Sequence, residues 1–95
     1  MAGRISTHSD KLGAWQASTT RAKEEKVRVW HTKRMGWRSH SSKSSEIYTM
    51  KTHHLENGST GLSCSCAGYV YRNYCKHIAR LAIVLANKGE EVRLL

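Results

Sequence analysis

Ninety-five residues with 39% hydrophobic side chains, no Phe and no Pro can enclose one modest core. Sixteen Lys and Arg against seven acids give a formal charge of +9, a balance that suits a polyanionic partner. No run approaches the roughly eighteen apolar residues of a membrane span, and Met1-Ala2-Gly3-Arg4-Ile5-Ser6-Thr7-His8 holds no apolar signal region, so an intracellular chain with reduced thiols and no membrane partner is expected.

Residues 1–17 are polar and without periodicity, and are expected to form a flexible N-terminal segment. Arg21-Ala22-Lys23-Glu24-Glu25-Lys26 is rich in helix formers and predicts a short helix over about 18–25. Val27-Arg28-Val29-Trp30-His31 alternates and is β-branched, which predicts a first strand. Gly36 marks a turn, Trp37 to Ser41 reads as a second strand, and the serine-rich stretch from Ser39 to Ser45 should contain a loop. Glu46 to Thr52 reads as a third strand. Asn57-Gly58 is a hairpin signal, and it leads to a fourth strand, Leu62-Ser63-Cys64-Ser65-Cys66. Ile78, Leu81, Ala82 and Leu85 recur at helical spacing, so a final helix should run from about Lys76 to Asn87 and stop at Gly89. That stripe is core packing. Residues 90–95 are read as a tail.

All three cysteines fall in one motif, Cys64-Ser65-Cys66 followed by Cys75-Lys76-His77. Three sulfurs and one imidazole form the donor set of a closed tetrahedral zinc site. On a strand, Cys64 and Cys66 would point to one face. Cys75 would stand just before the helix or at its first position, with His77 turned back from the first turn, because residues two apart inside a helix diverge by roughly 200°. The alternatives are a buried core cluster, or one disulfide and a free thiol. The odd cysteine count opposes a disulfide scaffold, and Cys64 and Cys66 are poorly placed to pair with each other. A core this small also needs a staple, and metal binding supplies one.

The motif resembles the SWIM zinc finger, a ββα module whose pattern is Cys-x-Cys, a gap, then Cys-x-His. Ser63-Cys64-Ser65-Cys66-Ala67-Gly68-Tyr69 and Tyr71-Arg72-Asn73-Tyr74-Cys75-Lys76-His77-Ile78 look like the family's strand, turn and helix approach. Trp37-Arg38-Ser39-His40-Ser41-Ser42-Lys43 and Ile47-Tyr48-Thr49-Met50 look like the stretch that precedes the finger, which extends the resemblance over about 21–86. Many members carry Pro after the second Cys; here it is Ala67, which loosens the turn and removes no ligand. The resemblance implies a structural Zn²⁺ and a part in transposition, remodelling, recombination or ubiquitin ligation, through DNA or protein partners.

Residues 1–43 hold ten Lys and Arg against three acids, whereas residues 44–95 hold six against four. If Val27 and Val29 face the core, Arg28 and Trp30 face solvent, and Arg38 and His40 alternate with Trp37 and Ser39 in the same way. The result is a basic-aromatic face that could grip phosphates and stack on bases. Its candidate contacts are Arg28, Trp30, Lys33, Arg34, Arg38 and Lys43. The bland alternative is that Trp30 covers a core edge and the arginines are solvated charges. His53-His54 with His8, His31 and His40 lack the ligand pairing of a second metal site. An enzyme is not expected: four ligands close the zinc sphere, no Glu accompanies the motif as in zinc deaminases or zincins, and no small-molecule site is visible.

The expectation is therefore an α+β zinc module over 18–89. A small antiparallel sheet of three to four strands packs on a C-terminal helix, with a short N-terminal helix and a zinc staple at Cys64, Cys66, Cys75 and His77. Its expected partner is nucleic acid, DNA ahead of RNA, with a protein-interaction adaptor of a larger complex as the alternative.

Overall fold

The computed structural model describes residues 3–41 and 44–94. Its strands are β1 (Ile5–Thr7), β2 (Val29–Thr32), β3 (Gly36–His40), β4 (Ile47–His54), β5 (Thr60–Cys64) and β6 (Val92–Leu94); its helices are α1 (Leu12–Glu24), α2 (Ala67–Arg72) and α3 (Lys76–Asn87). The strands form one sheet in the order β1-β6-β5-β4-β3-β2. From β2 to β5 the chain is an antiparallel meander. β6 then runs parallel to both β5 and β1, and α2 and α3 make the long crossover that a parallel β5–β6 pair requires.

The architecture is α+β as expected, but the sheet has six strands and is mixed. The two additional strands lie where a flexible segment and a tail were expected. β1 occupies part of residues 1–17 and β6 part of residues 90–95. Each has three residues, too few for a periodic signal, and each exists through pairing with chain more than eighty residues distant: the Val92 amide donates to the Arg4 carbonyl at 2.8 Å. The Gly3 amide docks on the Ala86 carbonyl at 2.6 Å, and a Cβ on Gly3 would collide with the backbone of Glu90. Gly3→Ala should therefore detach β1. The expected result is faster hydrogen exchange at the Val92 amide with α3 still protected; unchanged exchange at Val92 would show that β1 tolerates the added methyl group.

α1 begins six residues before the expected start of the helix at 18. Gly13, Thr19 and Thr20 weaken its local propensity, and what fixes it is burial of Trp15, Ser18 and Ala22 on one side. α3 matches its expected bounds. Its stripe, Ile78, Leu81, Ala82 and Leu85, is at most 2% exposed. These side chains share the core with Met50 and Leu62 of the meander and with Val92 and Leu94 of β6. α1 packs on α3. At the hairpin, Gly58 takes φ +86° and the Leu55 amide donates to the Ser59 carbonyl, as Asn57-Gly58 predicts. Among the described residues, no helix is long and apolar enough to cross a membrane.

The register divides the sheet into two faces. Directly paired residues share a face, so Val29 and Ser39 lie with Tyr48, and Met50 lies with Cys64, Leu62 and Val92 on the side that α3 covers. The opposite face carries Trp30, Arg38, His40, Ile47, Thr49, Lys51, Ser63 and Arg93. None of these eight is buried; Gly61, paired with His53 and Arg93 on the same face, lies under the Leu55 side chain, so the face is open from β2 to β4.

Candidate metal centre and the open sheet face

Cys64, Cys66, Cys75 and His77 reach one point from four local settings. Cys64 ends β5. Cys66 and Cys75 are the N-caps of α2 and α3, where their sulfurs accept from the Tyr69 amide at 3.5 Å and the Ile78 amide at 3.4 Å. His77 lies in the first turn of α3. Each cap sulfur thus receives an N–H that the helix start leaves free, and each cap favours thiolate by the helix dipole. Cys66 is not on the expected strand. The strand stops at Cys64, and the chain turns through Ser65 into α2, a helix that Gly68 and the strand-favouring Tyr69-Val70-Tyr71 conceal. α2 ends where Asn73 adopts the left-handed conformation and its amide closes on the Tyr69 carbonyl.

The four ligand atoms lie within 4.8 Å of one another, and all four residues are buried. A zinc tetrahedron with bonds of about 2.3 Å has sulfur–sulfur edges of about 3.8 Å, so small side-chain adjustments suffice to close it. Both ring nitrogens of His77 are buried with no protein partner among the described residues. Unpartnered buried polar atoms are costly, and a metal bond at one nitrogen relieves that cost. The Tyr48 ring, 5.1 Å from the imidazole, walls the site from the sheet side. The three thiols are crowded enough to perturb one another. Hydrogen bonds from Cys64 and then Cys75 push the Cys66 thiol far below its ordinary range. Cys64 is pushed up to about 11, first by its bond to Cys66, and Cys75 is raised by Cys64 and Cys66. A divalent cation among them offsets the mutual repulsion of three thiolates. Sulfur with imidazole and no carboxylate selects zinc over calcium or magnesium.

Residues 54–86 match the family model of the SWIM zinc finger. This protein carries a SWIM zinc finger. The finger spans the end of β4, the hairpin, β5, α2 and most of α3, with Zn²⁺ as the implied ion. The match does not include 21–53, the upstream part of the resemblance. No curated protein and no solved structure matches the chain.

β2 and β3 lie outside the SWIM finger and bring most of the candidate contacts together. Trp30 pairs with Arg38 across the two strands and touches the His40 ring at a tilt of 44°, with ring centroids 4.7 Å apart. Trp30 is half-buried, and Arg38 is half-buried with its Nε unpartnered among the described residues. Arg28 precedes β2 and is exposed, and its carbonyl accepts from the Ser39 hydroxyl at 2.7 Å. Lys33 and Arg34 stand apart from this group, at the exposed tip of the hairpin. Lys43 lies outside the described residues. Lys51 and Arg93 on the open face are not among the contacts expected from sequence. Lys51 was legible from the alternation of β4; Arg93 needed the unrecognised β6.

Proposed function

We propose that this protein is a non-catalytic nucleic-acid-binding module whose zinc is structural. The observation that carries the reading is the open sheet face. A tilted Trp30–His40 pair lies beside Arg38 on a surface that also holds Lys51 and Arg93, in a chain of charge +9. Aromatic rings offer bases a stacking platform and the cations meet phosphates, a combination that suits single strands. Phosphate contacts give affinity without sequence preference.

The test is binding of the zinc-loaded protein to single- and double-stranded DNA and RNA over a salt series. Each phosphate contact on a single strand contributes about 0.7 to the slope of log affinity against log salt. Neutralising Arg28 and Arg38 together should weaken binding and flatten that slope. Trp30→Ala should cost about 1–3 kcal/mol of single-strand affinity, with a melting curve for each variant to separate binding from folding. Absence of any association at low salt would defeat the reading.

One observation favours a protein-docking adaptor as the second reading. Val70 and Tyr71 of α2, between the second and third cysteines, are 64% and 84% exposed. If docking is their role, Tyr71→Ala will leave nucleic-acid affinity unchanged.

A further inference from the structure

Beside the zinc ligands a cleft of about 250 Å³ opens between α1, α2 and the start of α3. Its lining includes the ligand residues Cys66, Cys75 and His77 together with Ser18, Arg21, Ser41, Arg72 and Lys76, which are outside the four-ligand set. Arg21 and Lys76 both hold Glu25, at 3.3 and 2.6 Å. Arg72, in the last turn of α2, is exposed and has no ion-pair partner among the described residues. Among the described residues the lining of the cleft thus holds three cations and no carboxylate, beside a Cys₃His zinc centre with a single negative charge.

Ser18 is a second and independent sign. It is 5% exposed and lines the cleft. The hydroxyls of the next two residues, Thr19 and Thr20, bond back to the carbonyls of Trp15 and Gln16. The Ser18 hydroxyl has no such bond among the described residues. Its Oγ is not one of the fully buried unpartnered atoms, so it keeps contact with the solvent of the cleft and is free to donate to an anion there.

We infer that this cleft binds a phosphate group, supplied by the backbone of the nucleic acid that lies on the open sheet face. The inference rests on the function proposed above. The link between the two surfaces is the end of β3: His40 contacts the Trp30 ring on the open face, and the next residue, Ser41, lines the cleft. A single strand leaving the Trp30–His40 pair around that end meets the cleft, so a nucleic-acid phosphate fits better than one on a protein.

The test uses the zinc-loaded full chain and two probes, a labelled oligothymidylate over a salt series and inorganic pyrophosphate followed by amide chemical shifts. Arg72→Gln changes an exposed side chain, and Ser18→Ala keeps a small residue in a buried place; melting curves establish that both fold. Arg72→Gln should weaken oligonucleotide binding about 3- to 10-fold and lower the salt slope by about 0.7, one single-strand phosphate. Ser18→Ala should weaken binding with the slope unchanged. Pyrophosphate should shift the amides of residues 72 and 76 in the parent protein and not in Arg72→Gln. If both variants bind the oligonucleotide as the parent does while Arg38→Gln fails, the open face is the site and the cleft inference is overturned. If the parent ignores the oligonucleotide but pyrophosphate shifts those amides, or a phosphoserine peptide binds in its place, the nucleic-acid source is overturned along with the proposed function.

Discussion

Chelating the metal, or replacing Cys75 with Ser, will unfold most of the domain. The zinc joins the end of β5 to the starts of α2 and α3, and α3 carries the largest share of the buried apolar side chains. Without the ion, His77 keeps two buried nitrogens with no partner, and three close thiols must redistribute their protons. Structural zinc in small fingers is worth roughly 10–16 kcal/mol of apparent binding energy, more than the roughly 5–15 kcal/mol by which a whole domain is stable. Elemental analysis should give one zinc per chain. Circular dichroism with chelator should show loss of the cooperative melt, and re-added zinc should restore it. The thiols must shed protons to bind, so retention should weaken as pH falls. A cooperative melt that survives metal removal unchanged would show that the sheet and α3 hold without it.

Leu81→Ala should produce the largest loss among single changes away from the metal. Leu81 is fully buried at the centre of the α3 stripe, with Ile78, Ala82 and Leu85 around it. Truncation removes buried methyl groups and leaves a cavity, at about 2–5 kcal/mol. For a chain of this size that corresponds to a fall in Tm of roughly 10–40 °C. Arg80→Ala, on the exposed side of the same helix, should change stability by less than about 0.5 kcal/mol. Denaturant melts of the zinc-loaded variants compare the two. Equal effects would mean that α3 is not packed through its Leu81 side.

Short stretches of the chain determine much of this protein by themselves. The α3 bounds follow from its apolar stripe and Gly89, the hairpin follows from Asn57-Gly58, and the metal ligands follow from the spacing of three cysteines and one histidine. Each of these signals is complete within a dozen or so residues, so no distant contact is needed to interpret it. The alternation in Val27–His31 and in Trp37–Ser41 likewise separates Trp30 and Arg38 from the core side.

Only the tertiary structure decided the rest. β1 and β6 are three-residue strands whose backbone groups are satisfied by each other and by β5, a relation between chain ends that no local pattern encodes. α1 is held by burying Trp15 and Ala22 rather than by propensity. Cys66 caps a helix instead of ending a strand because the chain must turn after Cys64 to bring its sulfur to the others. The open face emerges when register sets Trp30 and Arg38 beside Thr49 and Lys51 while both long helices occupy the other side. The cleft emerges because α1 and α2, apart in sequence, bring Ser18 and Arg72 to one lining. Short-range pattern fixes which residues form an element. Which surfaces meet, and which stay open to a partner, depends on pairing across the whole chain.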